Sequence, residues 1–241
     1  LFALCGAVWA IHFYFRADKQ NIKWMYFAGT FCLCLATLSK LPYLLFAGVP
    51  LGILINQIRS KRFRNSGIAL LLSGFFLLPA IWWYVKVLPT MMWNPVIAGV
   101  FSDTKEGRPI IESIIGNLIS SLPELYLNYA MVPFFLIGLF LLVRNRKKIM
   151  NQYLPFSITG IILLIYFFYE INLISTVHDY YMLPFLPLLF LLSVYGWQHI
   201  MEMRQKSIRF FAVALILATP ITAFLRIDSR WNTNEPGFPA D

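Results

Sequence analysis

About eight apolar blocks follow one another along this chain, separated by short polar connections, and that rhythm restricts what it can fold into. Each block approaches the about 20 apolar residues needed to cross a hydrocarbon core. In lipid the backbone must satisfy its own hydrogen bonds, so a crossing segment is a helix or a strand of a closed barrel. Barrel strands alternate apolar and polar residues over about 10 positions. These blocks do not alternate. The hydrophobic share of 59% and the mean hydropathy of +0.67 exceed those of a soluble domain, which is about half apolar. The expected fold is all-α, a polytopic transmembrane helical bundle of about eight spans.

The expected spans are Leu1 to Phe15, Trp24 to Leu38, Leu41 to Ile58, Ile68 to Leu88, Tyr126 to Val143, Leu154 to Tyr169, Tyr180 to Ile200 and Ile208 to Leu225. Basic residues orient them. Arg16, Lys19 and Lys23 follow the first span, and Arg59, Lys61, Arg62 and Arg64 the third. Arg144, Arg146, Lys147 and Lys148 follow the fifth, and Arg204, Lys206 and Arg209 the seventh. Every second connection is basic, and the positive-inside rule assigns all four to the cytoplasm. The turn at Lys40, the long connection after Pro89, the turn at His178 and the C-terminal tail then face outside. The expected location is a multi-pass integral membrane protein, in a bacterial inner (plasma) membrane, with its working face outward. A net charge of +9 placed in such connections is an orientation signal, and nucleic acid is not an expected partner.

One transmembrane domain is expected over 1–225, with an outer-face loop at 89–125 and an outer segment beginning at 226–241. Within the loop, Ile110, Ile111, Ile114, Ile115, Leu118, Ile119 and Leu122 share one helical face, with Glu112, Ser113, Gly116, Asn117 and Ser120 opposite. Pro109 suits a first helical position. The expectation is an amphipathic helix lying at the outer interface, with Trp93, Tyr126 and Tyr129 as interfacial anchors. A helix packed on an extramembrane domain is the alternative. The chain opens at Leu1 inside an apolar run, with neither a charged leader nor a cleavage site, so it is expected to be cut from a longer protein. Cys5, Cys32 and Cys34 all lie in apolar blocks and are read as small buried hydrophobes. There is no Gly-rich phosphate loop, H-E-x-x-H or G-x-S-x-G pattern. The cofactor is therefore unknown: no metal-ligand motif is visible, and a divalent cation is left undecided.

Two stretches combine residues that can carry chemistry. Lys40 lies between two apolar runs, in Leu35-Ala-Thr-Leu-Ser-Lys-Leu-Pro-Tyr-Leu-Leu. A charge at the bilayer centre costs roughly 2.5–3.5 kcal/mol on insertion scales. A tight turn at the interface avoids that cost, and Pro42 fits the start of the next helix. Lys40 is either a snorkelling interfacial lysine or a cation aimed at a lipid phosphate. The second stretch is His178-Asp179-Tyr180-Tyr181-Met182-Leu183-Pro184-Phe185-Leu186-Pro187. It offers a titratable ring, a carboxylate and two phenols, Tyr180 and Tyr181, at one membrane edge. These are either belt aromatics or a site in which a protonated histidine donates to phosphate or relays a proton. Asp103, Lys105, Glu106 and Arg108 read by default as a solvated loop, although Arg108 has the geometry to grip a phosphate. Glu170 and Asn172 cap a span, and Arg226 and Arg230 lie at headgroup level.

Together, the Ala36-Thr-Leu-Ser-Lys-Leu-Pro and His178-to-Pro187 stretches resemble two segments of the GT-C membrane glycosyltransferases. The branch is the one related to dolichyl-phosphate-mannose protein mannosyltransferases and the lipid A aminoarabinose transferase. The first stretch is similar to that branch's leucine-threonine-lysine-glycine-proline turn, with Leu41 standing where glycine is usual. The second is similar to its tyrosine-x-leucine-proline-x-x-proline helix start. The resemblance extends over the chain as topology and is residue-specific only in these two stretches.

What it implies is transfer of a sugar, with inversion, from a polyprenyl-phosphate donor to a lipid, glycan or protein acceptor at the outer face. Lys40 matches the family lysine near the phosphate, and His178 and Tyr181 lie in the segment flanking the lipid headgroup. Fixed cations suit such chemistry, because a phosphate leaving group needs its developing charge neutralised. The acceptor hydroxyl still needs a general base. In the family that carboxylate lies in a first outer loop, expected upstream of Leu1, so no catalytic residue is assigned here and the chain alone is expected to be inactive. The alternative is a transporter or flippase for lipid-linked glycans, and a scaffold subunit without chemistry is a third reading. Transporters more often place charges near the midplane in broken helices, whereas the charges here lie at block edges.

Overall fold

A computed structural model describes residues 1–91, 93–94, 112, 115, 128–146, 153–169 and 179–231. The fold is all-α, and no strand occurs among the described residues. Eight helical runs appear there. They are α1 (Phe2–Gln20), α2 (Trp24–Ser39), α3 (Leu41–Arg59), α4 (Ile68–Met91), α5 (Tyr129–Arg144), α6 (Leu154–Tyr169), α7 (Leu186–Glu202) and α8 (Lys206–Trp231). A 3-10 turn, Asp179–Phe185, leads into α7. Leu41–Arg59, Ile68–Met91, Met182–Glu202 and Lys206–Leu225 are long and apolar enough to cross a membrane, and α2, α5 and α6 are shorter apolar helices.

The packing is that of a protein whose solvent is lipid. Thr30, Thr37, Gln57, Ser73, Thr159 and Ser193 are buried, while Phe75, Trp82, Phe140, Ile165, Phe211 and Phe224 are exposed. In water, so much contiguous exposed apolar surface marks a site of association. Against hydrocarbon it needs no further partner. Small residues then let helices approach, since lipid gives no hydrophobic drive between them.

The helices divide into two compact units. The first comprises Leu1–Ile114 and Lys147–Pro187. Ala3, Ala7, Ala10, Tyr14 and Ala17 form the buried face of α1. This alanine stripe lies against α2, where a Cβ on Gly6 would come within 3.1 Å of both the Ala36 Cβ and the Cys32 carbonyl. The α1 helix runs past its apolar block because Arg16, Lys19 and Gln20 are good helix formers. It stops at Asn21, whose left-handed backbone (φ 55, ψ 37) turns its N–H onto the Ala17 carbonyl. Gly48 and Gly52 on α3 admit α6: a Cβ at Gly48 would sit 2.8 Å from the Thr159 hydroxyl, and one at Gly52 would strike the Pro155 backbone. In α4, 3-10 (Gly74–Leu77) and π (Trp83–Val87) turns interrupt the helix around Pro79, which has no N–H to donate.

Hydroxyls tie the interior of this unit. The Tyr14 phenol lies 2.8 Å from Thr30 Oγ1, which lies 2.8 Å from Ser73 Oγ, linking α1, α2 and α4. At one end, Gln57 Nε2 donates to Asp18 Oδ1 (2.9 Å) and to the Tyr26 phenol oxygen (2.8 Å), and Arg62 Nη2 lies 3.8 Å from Asp18 Oδ2. The basic connections after α1 and after α3 thus share one end of the unit, as the charge alternation requires.

The second unit comprises Ile115–Arg146 and Leu188–Asp241. Phe134, Ile200 and Ala212 are its buried apolar centre. Gly138 on α5 meets the Leu192 carbonyl, and Gly196 on α7 meets the Phe134 carbonyl, so the two backbones touch with no room for a side chain. Asn128 (φ 57) donates to the Thr219 carbonyl (2.9 Å) and accepts from the Thr222 hydroxyl (2.7 Å), which ties the start of α5 to α8 around Pro220.

Candidate functional site

The Lys40 corner begins in the last turns of α2. Thr37 and Ser39 donate their hydroxyls to the carbonyls of Leu33 and Leu35, both at 2.8 Å. This back-bonding competes with the helix and prepares its end. Lys40 itself is extended (φ −161, ψ 117) and is the one non-helical residue between α2 and α3. Its N–H donates to the Ala36 carbonyl (3.0 Å) and its carbonyl accepts from the Tyr43 N–H (3.1 Å), so a sharp reversal leaves its backbone satisfied. Pro42 occupies the first turn of the 3-10 run Leu41–Ala47, where a missing N–H costs nothing. Tyr43 and Phe46, buried and stacked 6.1 Å apart, anchor that run in the core.

The Lys40 side chain is half-buried, and burial pulls its ammonium down from the usual 10.5 to about 8. The cause is desolvation of the charged form. An anion beside the ammonium would reverse that shift. Tyr84 of α4 donates to the Thr37 carbonyl (2.9 Å) and lies beside the Leu41 backbone, clamping α4 to the corner.

The turn Asp179–Phe185 lies at the same corner. Its Cα atoms come within 8 Å of those in Leu41–Ala47. Met182 is buried, and Phe185 stacks on Tyr166 (6.3 Å) and meets Phe167 edge-on (5.9 Å), which fixes the turn to α6. Since α6 packs on α3, one chain of contacts joins two stretches distant in sequence. Tyr180 and Tyr181 belong to this turn by backbone, and their side chains lie outside the described residues. His178, Asp103, Lys105, Glu106, Arg108, Glu170 and Asn172 also lie outside them, as do the side chains of Arg226 and Arg230. Of the expected interfacial helix, only Glu112 and Ile115 are described, both helical and exposed.

Sequence reasoning passed over two residues of α4. Tyr84 reads as one more aromatic in an apolar block, and no pattern marks it. Lys86, exposed in the π turn of α4, is a lone charge inside such a block, a signal that was available. Among the described residues no group of three or more His, Cys, Asp or Glu side chains is placed to hold a metal ion. Compared with protein-family models, curated proteins and solved structures, the chain matches none.

Proposed function

We propose that this chain carries the lipid-phosphate-recognising site of an integral membrane glycosyltransferase that moves a sugar from a polyprenyl-phosphate donor to an acceptor. The convergence of the Lys40 corner with the Asp179–Phe185 turn carries the reading. These are the two stretches on which the resemblance rests, and they meet at the end of α2 and α3 away from the basic connections. A half-buried ammonium at a rigid corner suits a phosphate that gains charge as its bond to the sugar breaks.

In the proposed reaction the acceptor hydroxyl attacks the anomeric carbon from the face opposite the phosphate. The bond between that carbon and the phosphate oxygen breaks, and the polyprenyl phosphate leaves with the bonding pair. Lys40 stabilises that leaving charge. The acceptor's proton goes to a general base, a role assigned to no described residue. The acceptor is a lipid, a glycan or a protein.

The test is transfer from a radiolabelled polyprenyl-phosphate sugar by the full-length protein in membranes. Lys40→Ala should cut transfer on the order of 100-fold or more with normal insertion. Lys40→Arg should keep part of it, since the charge survives in a different shape. Parental transfer by Lys40→Ala would make Lys40 a snorkelling anchor and remove the basis of the reading. The interrupted α4 favours a second reading, a transporter of lipid-linked glycans, because transporters build sites from broken helices. A transporter would move the labelled lipid between leaflets without cleaving the sugar from its phosphate.

A further inference from the structure

The flank of α1 away from the core carries a pattern that the transferase reading does not use. Tyr14 faces the core, and Phe15 stacks on Phe156 of α6 at 4.8 Å, so two sides of the helix are covered. The remaining side presents Trp9, His12 and Arg16, exposed and spaced to share one face, with the half-buried Phe13 at its edge against the core. Trp9 meets His12 edge-on at 5.6 Å and lies 5.7 Å from Phe13. Phe13 in turn lies 6.5 Å from Trp24, the first residue of α2. Trp9 and Trp24 are more than half exposed. Arg16, whose Nε donates to Gln20 Oε1 (3.2 Å), follows Phe13 by one turn of α1, and Lys23 adjoins Trp24, so each ring of the Phe13–Trp24 pair has an exposed cation near it in the chain.

The surrounding charge has one sign. The Asp18–Gln57–Arg62 contacts gather Arg16, Lys19, Lys23, Arg59, Lys61, Arg62 and Arg64 at one end of this unit, all exposed. Asp18 is the one acidic residue in positions 1–91, and it is already engaged. No other acidic residue in that stretch of chain is there to pair with the remaining cations, which leaves this end strongly positive.

We propose that this flank seats one anionic phospholipid. Its phosphate lies between Arg16 and Lys23, and an acyl chain runs along Phe13, Trp24 and Trp9 toward the middle of α1. The requirement for both parts selects a membrane lipid over free phosphate: a row of aromatic rings gives a soluble anion nothing to hold. A juxtamembrane cation contributes to attraction for anionic lipid and is screened by salt, so the seat is salt-sensitive. It lies at the end of the unit away from Lys40 and is independent of the donor site.

Tryptophan quenching tests this. The whole chain is reconstituted in bilayers that contain, at equal mole fraction, either a brominated anionic phosphatidylglycerol or a brominated phosphatidylcholine with the same acyl chains. At low salt the anionic lipid should quench more strongly, and the excess should disappear in W9F/W24F, which places it on this flank. In R16Q/K23Q the preference should fall on the order of tenfold in relative affinity, and R16K/K23R should retain it, which separates lost charge from lost fold. R59Q/R64Q should change it little. Equal quenching by the two lipids would overturn the proposal. So would a preference that survives R16Q/K23Q and falls with R59Q/R64Q, because the lipid would then answer to the general field of the basic end.

Discussion

Lys40 carries a desolvation cost, and under the proposed reading it also has a use. Its folded-state pKa of about 8 lies below the ordinary value, so between those two values the folded chain binds fewer protons than the unfolded one. Stability from this group is therefore present above about 10.5 and is lost as pH falls through about 8. Anion binding has the opposite sign, because a phosphate needs the protonated amine. Binding of polyprenyl phosphate should weaken as pH rises through about 8, where the ammonium loses its proton. Lys40→Arg should bind at pH 9 as it does at pH 7. Equilibrium binding of a fluorescent polyprenyl phosphate across pH 6–10 checks this, and a profile unchanged by Lys40→Arg would exclude Lys40 as the titrating partner. A different argument applies to Thr30. It pairs with both the Tyr14 phenol and Ser73 inside the first unit, and Thr30→Val leaves that phenol without its partner. The loss should be about 1–2 kcal/mol, with a Tyr14–Thr30 coupling of about 0.5–1.7 kcal/mol in a double-mutant cycle with Tyr14→Phe, read by unfolding in mild detergent. Additive losses would mean that the hydroxyls do not support each other.

At the scale of elements, glycines decide which helices can touch. A Cβ on Gly138 or Gly196 would run into the backbone of the facing helix, which cannot rotate away as a side chain can. Gly138→Ala and Gly196→Ala should each force α5 and α7 apart and destabilise by about 1–3 kcal/mol. Gly74, in the 3-10 turn of α4, has nothing within 4 Å of its would-be Cβ. Gly74→Ala should be neutral or stabilising, because alanine exceeds glycine in helix propensity by about 1 kcal/mol. Thermal scans of the three variants in one detergent compare them directly, and equal losses at all three positions would argue against backbone contact as the cause. The same reasoning explains why Gly48 and Gly52 matter to the Lys40 corner. They let α6 lie close on α3, and α6 holds the Asp179–Phe185 turn.

For the whole molecule the question is which ends share a side. In the first unit the Asp18 contacts bring together the connections after α1 and α3, while Lys40 lies at the other end of α2 and α3. Single cysteines replacing Ser39 and Asp179, in a background without Cys5, Cys32 and Cys34, should react alike with an impermeant thiol reagent in intact cells. Cysteines replacing Lys23 and Arg62 should react only once the membrane is opened. Labelling of Ser39→Cys and Lys23→Cys from the same side would contradict the alternation.

The helices themselves were legible because burial in lipid needs only long apolar runs. The expected span Leu154 to Tyr169 coincides with α6, and the second and third expected spans each end one residue short of their helices. Misjudged boundaries, such as Gln20 for α1 and Trp231 for α8, lie where charged residues end an apolar block but still favour helix. The Lys40 corner was legible too, since a charge and a proline between two apolar runs demand a turn at an interface. Its surroundings were not. Tyr84 meets Thr37 across 47 positions, and the Asp179–Phe185 turn reaches Leu41–Ala47 across a longer interval still. Neither pairing leaves a mark in local composition. Local pattern determined that these segments are helices and where the chain must turn. Which helices touch depends on where glycines and alanines let backbones meet and which buried hydroxyls find partners, and only the tertiary structure decides that.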